Sequence, residues 1–63
     1  MTQTEAIREH LLKHNSITPL EALDLYGCFR LAARIRDLRD EGFSVQTIKV
    51  SNGEKTYAKY VMG

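Results

Sequence analysis

The 63-residue sequence has no tryptophan, one cysteine and one proline, and each scarcity removes a class of protein. A lone cysteine cannot close an internal disulfide, so the chain must fold on its apolar core, about 60% of its unfolded surface being buried at this size. His10 and His14 stand one helical turn apart, but two ligands do not make a metal site and Cys28 is too isolated to be the third. No metal is expected. One proline and 43% apolar residues are the composition of a folded domain, not of a disordered tail. No apolar run is long enough to span a membrane, and the first residues lack a basic-then-apolar signal pattern. With a free cysteine, this makes the cytoplasm the expected location. A glycine-rich phosphate loop, a histidine matched to a nucleophile, and a catalytic carboxylate pair are all missing. So small a domain also has little room for a substrate cavity. The expectation is one domain over residues 1–63, neither an enzyme nor a holder of cofactor or small-molecule substrate.

An excess of one charge is also missing. The formal net charge is +1. Its distribution is uneven. Residues 1–28 carry Arg8 and Lys13 against Glu5, Glu9, Glu21 and Asp24. Residues 29–63 carry Arg30, Arg34, Arg36, Arg39, Lys49, Lys55 and Lys59 against Asp37, Asp40, Glu41 and Glu54. Such a chain can present a positive patch while staying near neutral overall.

What is present falls into four segments. Thr2 or Thr4 starts the first helix, Thr2 and Glu5 having capping-box spacing, and Ala6, Ile7, Leu11 and Leu12 give it an apolar side up to His14-Asn15. Thr18-Pro19-Leu20-Glu21 is the clearest start signal: a cap, a proline whose missing N–H costs nothing, and an acid at the third position. Ala22, Leu23 and Leu25 supply the apolar positions of this short second helix before Gly27 ends it. A third helix runs to about Glu41. Its Leu31, Ile35 and Leu38 lie within about 60° of one another on the wheel, and Gly42 serves as its C-terminal cap.

From Phe43 the period changes. Two β-branched runs, FSVQTIKV and EKTYAKYV, flank Ser51-Asn52-Gly53-Glu54. Asn-Gly predicts a type I′ hairpin with Asn52-Gly53 as the loop, so that Ser51 faces Glu54 and Ile48 faces Tyr57. One face then shows Ile48, Val50 and Tyr57, and the other Val45, Ala58 and Tyr60. Ile17 can add a short third strand. Three helices followed by a C-terminal β-hairpin make an α+β chain with the plan of a winged helix-turn-helix.

The stretches SITPLEALDLYGCFRLAARIRDLRDEGFSV and NGEKTYAKYVM resemble winged helix-turn-helix DNA-binding domains, in particular short helix-turn-helix proteins of bacteriophages and prophages. Ser16-Ile17-Thr18 is similar to the small strand and cap before the second helix. Arg34–Leu38 followed by Gly42 and Val45 is similar to the end of the recognition helix and the start of the wing. The resemblance implies a third helix docked in the major groove and a hairpin touching backbone or minor groove, with Arg30, Ala33, Arg34 and Lys55 as contacts. It implies a sequence-specific regulator or nucleoprotein component. A single module covers few base pairs, so a homodimer, tandem sites or a protein partner would add specificity.

With the apolar stripe turned inward, the wheel of the third helix centres its outer side near Ala33 and Asp40. Arg30 and Arg34 lie on one flank, and Arg36 and Arg39 on the other. Arg30 and Arg34 rank first as contacts and Arg36 next. In the hairpin, Lys49, Asn52 and Lys55 are candidates for phosphate contact, Lys49 pointing from the face opposite to Lys55 and Lys59. Two other readings stand beside these. The charges of the third helix can be laced as surface pairs, Arg36 with Asp40 and the first arginines with Asp37. The domain can equally be a protein-binding winged helix, an adaptor or an inhibitor of a host protein. Phe29, Tyr26 and Tyr57 are expected at the core or its rim, Cys28 is expected buried, and Tyr60 suits a core, a dimer contact or a partner.

Overall fold

The structure is a computed structural model that describes residues 2–63. Its first helix, α1 (Gln3–His14), begins where Thr2 accepts from the Glu5 amide, and ends at Asn15, which takes a left-handed conformation. One side of α1 is buried through Ile7, His10 and Leu11. Leu12 is exposed, so the inward side is narrower than its apolar residues suggested. His10 fills the remaining place. Its Nδ1 lies 2.8 Å from the Tyr26 hydroxyl, joining α1 to the second helix.

β1 (Ser16–Ile17) leads into α2 (Pro19–Tyr26) through a complete capping box: the Thr18 hydroxyl accepts from the Glu21 amide while the Glu21 carboxylate accepts from the Thr18 amide. Two orphan donors are thereby satisfied reciprocally. α3 (Leu31–Asp40) buries Leu31, Ile35 and Leu38, the expected stripe. Its end is closed by two bonds, from the Phe43 amide to the Leu38 carbonyl and from the Gly42 amide to the Arg39 carbonyl. This is the Schellman arrangement, and it needs the positive φ of +100° that Gly42 adopts. Phe43, just beyond, packs on the core.

β2 (Val45–Asn52) and β3 (Lys55–Met62) form the hairpin, and β1 pairs on the far side of β3, so the sheet order is β1-β3-β2. Ile17 stands opposite Tyr60, which makes the small third strand. The hairpin register differs from the Asn-Gly expectation. Asn52 pairs with Lys55, Val50 with Tyr57 and Thr47 with Tyr60, which leaves Gly53-Glu54 as the loop. Gly53 has φ +65° and Glu54 does not have a positive φ, the pattern of a II′ turn instead of I′. The pairing has slid by two residues, so every side chain keeps its expected face. Val45 and Tyr60 are on the buried one; Ile48 and Tyr57 are on the other, exposed.

Ile7, Leu11, Ile17, Ile35 and Leu38 form the fully buried centre where α1, α3 and the sheet meet, and Cys28 is buried beside them. In α2 and the turn after it, three outward placements depart from expectation: Leu23 and Leu25 are exposed, and Phe29 is 86% exposed instead of filling the core. The reason is local: Cys28 and Leu31 take the inward positions on either side of it, so the turn directs Phe29 outward. Among the described residues no helix is long and apolar enough to cross a membrane.

Candidate nucleic-acid interface

The start of α3 is built differently from the other helices. Arg30 occupies its cap position with no side-chain hydrogen bond to the helix, and the first turn carries no acid. The leading amides of α3 therefore have no side-chain acceptor, the Ala33 amide donating to the Arg30 carbonyl, and no acid in the first turn compensates the positive end of the helix dipole. The Arg30 side chain is exposed and makes no hydrogen bond or ion pair among the described residues, its carbonyl alone being engaged, by the Ala33 and Arg34 amides.

Around α3 the arginines divide by what holds them. Arg34 is only 33% exposed, with its Nε 3.2 Å from the Asp37 carboxylate. That Nε is buried and misaligned for a hydrogen bond, so the contact is an ion pair without a directed N–H bond. Thr4 of α1 donates to the same carboxylate at 3.5 Å. Ala33 is likewise half-buried, so the flank bearing Ala33, Arg34 and Asp37 turns toward α1 and not straight outward. Arg39 is spent within the fold. Its guanidinium donates to the Val45 carbonyl at 3.0 and 2.8 Å and to the Thr47 hydroxyl at 3.0 Å, tying α3 to the root of the wing. The free face is instead the one carrying Ala32, Arg36 and Asp40, all exposed. Arg36 makes no ion pair with Asp40 among the described residues; of the expected surface pairs, only Arg34 with Asp37 forms. Arg30 and Arg36 are the available arginines.

The wing brings the hairpin candidates to two places. Asn52 and Lys55, paired at its tip, line a cleft of about 580 Å³ together with Thr18, Leu20 and Leu23 of α2 and its cap, and with Phe29. Lys55 is the one charged residue lining that cleft. Lys49 alternates to the other hairpin face, the one that carries Thr47 and is therefore held by Arg39 of α3. The cleft is not legible in the sequence, because hydrophobicity alone gives Leu23 and Phe29 inward places and the helix-start signal says nothing of where Leu20 points. Arg39 as a structural anchor is not legible there either, because no local spacing shows a bond to a strand carbonyl.

The three-helix unit, with its second and third helices joined by a tight turn and a two-stranded wing tied to the third helix, agrees with a match over residues 2–63 to the family described as winged helix-turn-helix domain. The chain belongs to that family. Winged helix-turn-helix domains are DNA-binding modules and not enzymes, and the open, arginine-bearing start of α3 suits such a role. Searches of curated proteins and of solved structures give no match. Within the winged helix-turn-helix frame, α2 and α3 are the helices of the helix-turn-helix and β2-β3 the wing.

Proposed function

We propose that this winged helix-turn-helix domain binds double-stranded DNA sequence-specifically in the cytoplasm, as a transcriptional regulator or a nucleoprotein component of a phage or prophage. The observation that carries the reading is the uncapped start of α3 at Arg30, free of acids in its first turn and followed by the unpaired Arg36. The N-terminal half of α3 enters the major groove, and Asp40 stays toward the rim. Lys49, Asn52 and Lys55 of the wing settle on the sugar–phosphate backbone, which positions the domain without reading sequence. Ala33 and Arg34 lie at the edge of the contact on the α1 side. A dimer or tandem sites would lengthen the sequence read.

The test is an NMR titration with mixed duplexes at two salt concentrations. Shifts clustered on residues 29–36 and 49–55, weakened at the higher salt, are the expected result. No shifts at the lower salt overturn it. The exposed Leu20, Leu25 and Phe29 favour a second reading, a protein-docking winged helix. Unchanged spectra with every duplex, together with specific capture of a host protein that is lost on changing Leu20, would establish that reading instead.

A further inference from the structure

Phe29 is the most exposed of the large hydrophobic side chains, and nothing in the fold explains why a ring stands there. Its position is nevertheless well determined. Cys28 before it is buried, and two residues later Leu31 is buried at the first position of α3, so the backbone carrying Phe29 is pinned on both sides. The ring lies at the mouth of the cleft between α2 and the wing, beside Leu20 and Tyr57. Among the described residues the one charge lining that cleft is the ammonium of Lys55, and the residue that follows Phe29 is the exposed Arg30. A mainly apolar lining that includes one cation and, among the described residues, no carboxylate suits a partner that is anionic at its edge and apolar at one point.

Duplex DNA has that chemistry in its major groove: phosphates along both walls and, at each thymine, a C5 methyl projecting between them. Resting on the DNA reading above, we infer that Phe29 is a specificity-determining residue that packs against the thymine methyl of an A·T pair. Residues at the start of a recognition helix are those that meet base edges, and Phe29 immediately precedes that start. The arginine and lysine on either side hold the backbone, and the ring distinguishes one base from the other three by contact with its methyl.

The experiment uses the whole chain and a duplex enriched from a random pool by the wild-type protein. That duplex is compared with a copy carrying deoxyuridine in place of thymidine, which removes only the methyl groups. Wild-type affinity is expected to fall about fourfold on the uracil duplex, the worth of one buried methyl. F29A is expected to bind the thymine duplex about tenfold more weakly, to ignore the uracil exchange, and to keep the wild-type slope of affinity against salt. F29L should retain part of the thymine preference. Because the ring is exposed, both variants should melt at the wild-type temperature, which circular dichroism checks. The inference is overturned if F29A and wild type show the same thymine-to-uracil ratio. It is overturned equally if F29A leaves DNA affinity unchanged and abolishes self-association in the ultracentrifuge. If the pool yields no bound duplex, the DNA reading itself fails and this inference goes with it. A bound duplex indifferent to Phe29 removes the inference alone.

Discussion

α2 and α3 are joined by a short turn yet start in opposite ways. α2 opens on a closed capping box, with Thr18 and Glu21 satisfying each other's amides and a proline at the first position. α3 opens on Arg30, with no side-chain cap and no acid in its first turn. By the ordinary rules of helix stability the second arrangement is the poorer one, since a cap residue is worth about 1 kcal/mol and a cation at the N-terminus opposes the dipole. The helix that supports is finished for stability, and the helix that is presented is left unfinished. A local rule broken in one place, beside its observance in the neighbouring helix, marks where the chain is adapted to something outside itself.

The sharpest way to break this contrast is to finish α3. R30D supplies a capping carboxylate and reverses the charge offered to phosphate. DNA affinity should fall about a hundredfold at low salt, while stability rises by up to about 1 kcal/mol, or about 4–8 °C in Tm for a domain of this size. Fluorescence anisotropy and thermal denaturation on the same sample check both halves. A variant that loses affinity and stability together would show that Arg30 serves the fold.

Next in size is R36A. Arg36 is exposed and unpaired on the free face of α3, so its loss should weaken binding about tenfold and leave Tm within about 2 °C. Breaking the supporting helix should do the reverse. T18A leaves Glu21 without its reciprocal partner and should cost about 1 kcal/mol in denaturant unfolding, with affinity of the folded protein changed less than about twofold.

How far the sequence led is instructive at particular residues. Leu31, Ile35 and Leu38 fixed the inward side of α3, and Thr18-Pro19-Leu20-Glu21 the start of α2, because these signals are local and periodic. The hairpin loop was misplaced for a specific reason. Sliding the strands by two residues preserves the alternation of faces, so hydrophobic pattern cannot separate the two registers. Only turn chemistry can, and both Asn52-Gly53 and Gly53-Glu54 are acceptable loops. The observed register pairs Val45 with Met62 and Val50 with Tyr57, while β3 also pairs with β1. Phe29 was misassigned because hydrophobicity predicts burial without knowing that Cys28 and Leu31 already occupy the inward positions. The burial of His10 is not legible in the sequence, because a polar residue enters the interior only when a partner such as Tyr26 awaits it, and that partner lies on another helix.

The arginines of α3 show the same limit, and they supply the smallest effect. On the wheel Arg34 is as good a contact as Arg30, since a wheel places neither α1 nor Asp37. In the fold, α1 covers that flank and Asp37 holds the Arg34 guanidinium. R34A should therefore weaken DNA binding by less than about threefold, well short of R36A. The partially exposed Arg34–Asp37 pair contributes little to stability, because solvent screens it and ordering two long side chains costs entropy; Tm should move by no more than a few degrees. D37N sharpens the point. It removes the acid that occupies Arg34 and leaves an amide of nearly the same shape, so affinity should rise about two- to threefold at low salt, and the gain should vanish when Arg34 is also alanine. Anisotropy titrations of the two single variants and the double variant close the cycle. If R34A instead costs as much as R36A, the DNA meets α3 along its α1 side, and the free face carrying Ala32, Arg36 and Asp40 is not the one presented to the groove.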